Sequence, residues 1–291
     1  MQNAAQPRQQ EAWFETSTGA KLLVRNFSPL EPAETVPLLC LHGFMRNSRD
    51  FCELGELLAS QGVQVIAPDL RGRGFSTRFT DAKDYHYDLV KGDVWDLLDH
   101  LQIERVAVLG IALGGLIAMD MAAERPGRVS GIVLNDLGAE IVESSSKRMA
   151  NNVAAADFSF DEAVERMKLH FGETYPDLTD ERWKDLMLRA YREFSPGRYA
   201  RDFDMLSLVD AKRMKEERPD AWSQFLATQE IPVAILRGET SDFFTEDCAR
   251  RMVAAHRNAT LTTVPGRGHP PLLDEPESLS AVTALLRAAS L

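Results

Sequence analysis

The chain has 291 residues, 44% of them apolar, enough to bury a substantial core as one large domain or as a core with an inserted lid. A formal charge of −11 disfavours nucleic acid, whose phosphates it would repel, and favours solubility without naming a partner beyond a small molecule. Three cysteines, Cys40, Cys52 and Cys248, form no Cys-x-x-Cys pair; they predict no disulfide framework and no zinc site, and point to a reducing compartment, the cytoplasm.

Residues 1–10 are polar and glutamine-rich, which predicts a disordered tail, not a signal or anchor. Ala12–Glu15 and Lys21–Phe27 flank the turn formers Ser17-Thr18-Gly19 and read as a hairpin, with Val36–Leu41 as the next strand. Asp50–Ala59 places Phe51, Leu54 and Leu58 at helical spacing, and Val63–Ala67 returns as a strand. Arg71-Gly72-Arg73-Gly74 is glycine-punctuated but lacks the lysine and spacing of a phosphate-binding loop, so it reads as a loop near the rim of a site. Val90, Val94, Leu97, Leu98 and Leu101 form a helical stripe, followed by the strand Arg105–Leu109, an apolar helix Leu113–Ala123 and the strand Gly131–Asn135. The apolar run Val106–Met119 is too short to span a bilayer and contains three glycines. From residue 139 to 229 the pattern becomes helical, charged and aromatic with no convincing strand, predicting an inserted helical cap; residues 11–138 and 230–291 form the core. The rhythm resumes with Ile231–Leu236, a helix over Thr245–His256, the strand Leu261–Val264 and a helix over Glu277–Ala288. Strands alternating with helices imply an α/β fold, a mostly parallel doubly wound sheet covered on both faces.

Between strand and helix stands Gly110-Ile111-Ala112-Leu113-Gly114, a Gly-x-Ser-x-Gly nucleophile elbow with alanine where the nucleophile belongs. With Leu39-Cys40-Leu41-His42-Gly43-Phe44 before it, and Leu236-Arg237-Gly238-Glu239-Thr240-Ser241-Asp242 and Gly266-Arg267-Gly268-His269 after it, the chain resembles the α/β-hydrolase superfamily from about Ala12 to Ala289. The resemblance implies a triad at Ala112, Asp242 and His269, with His269 as general base and Asp242 orienting its ring. Asp136 is the alternative acid, since some relatives place it one strand earlier, and Glu239 is a weaker one. It implies an oxyanion hole made by the amides of Leu113 and Phe44, with His42 bracing the latter's loop. No cofactor or metal is expected, since neither a dinucleotide fingerprint nor clustered metal ligands are present.

A methyl group cannot attack a carbonyl, so the chain as written should not form an acyl-enzyme. The intact partner residues favour a parent enzyme whose serine has been exchanged for alanine over a natural non-catalytic member. Relatives with an aspartate nucleophile carry proline after the His-Gly-x of this loop and tryptophan after the nucleophile; Met45 and Leu113 stand there instead, and cysteine stays open. The parent is read as a serine hydrolase of a carboxylic ester or lactone bearing an apolar or aromatic group. Gly43-Phe44-Met45-Arg46-Asn47 lacks the Gly-Pro-Gly style loop associated with ring-cleavage-product hydrolases, which lowers the standing of carbon–carbon bond hydrolysis. A ligand-binding member or a cofactor-independent oxygenase of the same fold is the remaining alternative. Phe44, Arg46, Trp183 and Trp222 are the candidate substrate contacts, Arg46 through a substrate carboxylate.

Overall fold

A computed structural model describes residues 8–140, 157–217 and 220–291. The core is an eight-stranded sheet. Its strands are β1 (Arg8–Glu15), β2 (Lys21–Ser28), β3 (Leu38–Leu41), β4 (Val65–Pro68), β5 (Val106–Ile111), β6 (Val129–Asn135), β9 (Val233–Gly238) and β10 (Ala259–Val264), in the order β1-β2-β4-β3-β5-β6-β9-β10. The β1–β2 hairpin joins β4 antiparallel, and every pairing from β4 to β10 is parallel. β1 starts at Arg8, so part of the stretch assigned to a disordered tail is paired strand. The rest of that tail, residues 1–7, lies outside the described residues.

Alternate strand residues feed opposite faces, as the two-residue period of a strand requires. Leu39, Leu41 and Val108 pack with α2 (Tyr87–His100), α3 (Leu113–Glu124) and α8 (Glu246–Ala255). Leu38, Cys40, Ala107 and Leu109 pack with α1 (Cys52–Ser60) and α9 (Pro276–Ala289). Complete burial of each leucine or valine among them contributes about 1.5–3 kcal/mol, which is why the parallel strands read as continuous apolar runs.

Between β6 and β9 lie α4 (Phe160–Phe171), α5 (Asp180–Ala190), α6 (Ser207–Glu217) and α7 (Trp222–Leu226). Ser159 and Glu162 close a capping box on α4, and Thr179 caps α5, satisfying amides that the first helical turn leaves open. This insertion is not purely helical, contrary to the sequence pattern. Tyr191–Ser195 (β7) and Arg198–Arg201 (β8) pair as an antiparallel hairpin turning at Gly197, whose φ is +71°. Its side chains are mostly half-exposed on both faces, so no alternation of polar and apolar residues marks it. Among the described residues no helix is long and apolar enough to cross a membrane.

Candidate active site

β5 runs into α3 through Ala112, held at φ +46°, ψ −107° as the residue before the helix. A non-glycine residue there costs about 1–3 kcal/mol, so the surroundings must impose it. They do so by close approach: a Cβ on Gly110 would lie 2.3 Å from the Gly114 carbonyl carbon, and one on Gly114 would lie 2.0 Å from the Leu41 oxygen. Only hydrogens fit at both positions, which locks helix against strand and presents position 112 at the carboxyl edge of the sheet. Leu113 opens the helix, where an amide has no intrahelical acceptor and faces the positive end of the helix dipole.

Parallel register sets Leu41 beside Gly110, so the loop His42-Gly43-Phe44 leaves the sheet next to the elbow. A Cβ on Gly43 would stand 3.7 Å from Ile111 Cγ2. His42 is fully buried; the Leu70 amide donates to its Nε2 at 3.0 Å, so Nδ1 carries the hydrogen and donates to the Gly43 carbonyl at 2.8 Å. Burial pushes this imidazole down to about 4, keeping it a neutral brace. Arg73, also buried, donates from Nε to the Phe44 carbonyl at 3.1 Å and lies over the Phe44 ring at 4.8 Å. The carbonyl and ring of Phe44 are therefore fixed from behind.

His269 Nδ1 donates to Asp136 Oδ2 at 2.7 Å. Asp136, not Asp242, is thus the carboxylate at this ring. The two come from the carboxyl ends of adjacent strands, β6 and β9, about 4.8 Å apart in any sheet, which is why sequence order alone does not choose between them. Asp136 is fully buried at φ +53°, a left-handed conformation that aspartate tolerates better than most residues. Its Oδ1 accepts from the Gly238 amide at 2.8 Å and its Oδ2 also accepts from the Ser241 hydroxyl at 2.6 Å. The segment carrying Asp242 therefore serves the site through Gly238 and Ser241, while Asp242 itself is exposed. Glu239, the weaker candidate, accepts from the Gly266 amide at 2.9 Å. Phe243 stacks on the imidazole with ring centroids 4.1 Å apart. Ser241 and Phe243 carry no role in the sequence reading: Ser241 stands there only as a neighbour of Asp242 in its motif, and Phe243 lies just past that motif.

Beside the elbow lies a cavity of about 80 Å³ lined by Ile111, Pro270 and Pro271 from the core and by Met167, Phe171, Tyr175 and Leu186 from the cap. Arg46 and Asp50 also line it, and Arg46 Nε donates to Asp50 Oδ2 at 2.8 Å, so its charge is already countered. Tyr175 closes the cavity by donating its hydroxyl to the Pro270 carbonyl at 2.8 Å. Trp183 is not a cavity residue: it is buried in the cap's own cluster, 6.2 Å from the Tyr175 ring. Trp222 lies away from the cavity too, donating its indole N–H to Glu140 at 2.7 Å beneath Arg251. Both aromatics satisfy packing and hydrogen-bonding needs elsewhere, and aromatic content alone could not distinguish such a role from ligand contact.

An elbow, a buried carboxylate–imidazole pair and a braced loop at the edge of a parallel sheet define the α/β-hydrolase class of site. This chain belongs to the alpha/beta hydrolase fold family, whose pattern it matches over residues 36–276. It is similar to the 3-hydroxybutyrate-oligomer hydrolase of Cupriavidus necator, 27% identical over 260 residues that cover 86% of this chain and 88% of that protein. An alpha/beta hydrolase from Novosphingobium aromaticivorans superposes with a TM-score of 0.86 at 33% identity, over 98% of this chain and 100% of that one. The E-2-(acetamidomethylene)succinate hydrolase shares the fold at a TM-score of 0.78 and 22% identity, over 97% of this chain and 100% of that one.

Proposed function

We propose that this fold is built for hydrolysis of a carboxylic ester or lactone with a short, largely apolar acyl group, and that Ala112 occupies the place of a catalytic serine. The observation that carries this reading is the intact Asp136–His269 hydrogen bond at 2.7 Å beside an elbow that still holds position 112 at φ +46°. With a serine at 112, its Oγ attacks the ester carbonyl carbon while its proton passes to His269 Nε2. Asp136 holds Nδ1–H and stabilises the imidazolium. The developing oxyanion is taken by the amides of Leu113 and Phe44. Collapse breaks the ester C–O bond, and the leaving alcohol takes the proton back from Nε2. Water, deprotonated by the same nitrogen, then attacks the acyl-enzyme and releases the acid and the serine. As the chain stands, the first bond cannot form, and the site is left to bind.

The apolar walls supplied by Ile111, Met167, Phe171 and Leu186 support a hydrocarbon acyl stem, and the name of the Cupriavidus necator relative supports an ester bond. Hydrolysis of a p-nitrophenyl ester and lactone panel by this chain and by Ala112→Ser tests the reading. The serine variant should gain roughly 10³-fold or more over the alanine chain. A folded serine variant that stays inert on the whole panel would overturn it and leave a binding protein.

A further inference from the structure

The chain is acidic, with 44 Asp and Glu against 33 Lys and Arg, and most cap arginines are matched to carboxylates. Arg182 pairs with Asp274 at 2.6 Å, Arg189 with Asp185 at 2.6 Å, Arg192 with Asp202 at 3.4 Å and Arg198 with Asp157 at 2.9 Å. Two depart from this. Arg201, at the end of β8, stacks over the Tyr191 ring at 5.1 Å and has no ion pair with a carboxylate among the described residues. Arg166 lies 4.5 Å from the Phe158 ring, and its Nε is buried without a hydrogen-bond partner among the described residues.

One turn along α4 from Arg166, His170 Nε2 is likewise buried without such a partner. Burial above all, with Arg166 and Arg201 adding to it, holds its pKa below the ordinary value. The Phe158 and Tyr191 rings stand 6.5 Å apart, edge to face, and tie the two guanidiniums into one cluster. That cluster adjoins the cavity through α4, where Met167 and Phe171 line the cavity from the helix that carries Arg166 and His170.

Arg166 and Arg201 are half-buried, and a carboxylate offers a guanidinium a planar, bidentate partner. We propose that Arg201 and Arg166 form an anion subsite in the cap that holds the free carboxylate of a short acyl substrate, its ester carbonyl lying at position 112. The natural ligand class is then a half-ester of a short dicarboxylic acid, or a similarly short ester with a terminal carboxylate. This rests on the ester-hydrolase reading for the position of the carbonyl, but binding of the carboxylate does not depend on turnover.

Because Ala112 cannot consume such a ligand, binding is measured on the chain as it stands. Titration calorimetry with monomethyl glutarate and with methyl pentanoate, its uncharged counterpart, should give at least tenfold tighter binding of the half-ester. Arg201→Gln and Arg166→Gln should each weaken half-ester binding tenfold or more, while Arg201→Lys, which keeps the charge, recovers part of the loss. Thermal melts identify a variant that fails to fold, in which case Arg201→Lys against Arg166→Gln decides. Equal binding of the two esters, or folded arginine variants that bind the half-ester as the parent does, would overturn the subsite. Turnover by Ala112→Ser separates the two ideas. An active serine variant that prefers methyl pentanoate removes the subsite and keeps the hydrolase, whereas an inert one with tight, arginine-dependent half-ester binding keeps the subsite and removes the hydrolase.

Discussion

At the edge of the sheet, the groups that matter are placed by backbone: Ala112 and Asp136 both hold positive φ, and glycines 110 and 114 leave no room for a side chain. Across the cavity, the cap is tied down by side chains. Asp202, fully buried, meets Arg49 at 2.6 Å and Arg78 at 3.1 Å, and Arg267 reaches from the core to Asp177 at 2.5 Å. The difference teaches where chemistry and selectivity can change independently. Backbone geometry at the elbow persists with an alanine in it, while the cap's ion pairs can be altered one residue at a time.

The sharpest way to break this comparison is at the carboxylate. In an Ala112→Ser background, Asp136→Asn should lower kcat by roughly 10³–10⁴-fold, because the amide holds the imidazole in the wrong tautomer. Asp242→Asn should change it by less than about threefold. Comparable losses from both would show that the exposed aspartate shares the role. Next in size is a pair of glycine substitutions read by denaturant midpoints. Gly114→Ala drives a Cβ to 2.0 Å from backbone and should cost about 3 kcal/mol or more, whereas Gly197→Ala, in the cap hairpin with nothing within 4 Å, should cost about 1 kcal/mol from its left-handed φ alone. Similar costs would mean that the elbow relaxes as freely as the hairpin.

Acid offers a smaller test. His42 is held neutral in the fold down to about 4 but protonates near 6.5 in the unfolded chain, so between these values the unfolded state binds more protons and stability falls as pH falls. By pH 4.5 the loss should reach about 2–3 kcal/mol. The cap-to-core pair of Glu53 with Arg182 should not contribute in that window, since the guanidinium holds Glu53 below the usual carboxylate range. Urea midpoints at pH 7 and 4.5, with His42→Gln flattening the difference, check the assignment; an unchanged slope in that variant would move the effect elsewhere.

The elbow and His269 were legible in the sequence because each sits in a short motif whose strand–turn–helix or loop context is local. The choice of acid was not, because Asp136 and Asp242, both named as candidates, follow neighbouring strands, and the path of the His269 loop brings Asp136 to its ring. The β7–β8 hairpin left no trace in the hydrophobic pattern since both of its faces are largely wet. Trp183 and Trp222 misled for the opposite reason: their size marked them, but Trp183 is needed inside the cap and Trp222 by Glu140.

Seen through the genetic code, the strained alanine at 112 is a short distance from a nucleophile. Every alanine codon becomes a serine codon by a change of its first base, and here the backbone is already in the conformation a serine would need. A library built on this chain and selected for growth on an ester could therefore recover turnover without reshaping the elbow. The strained backbone is the part of such an elbow that a single base change could not supply, and it is already in place at 112.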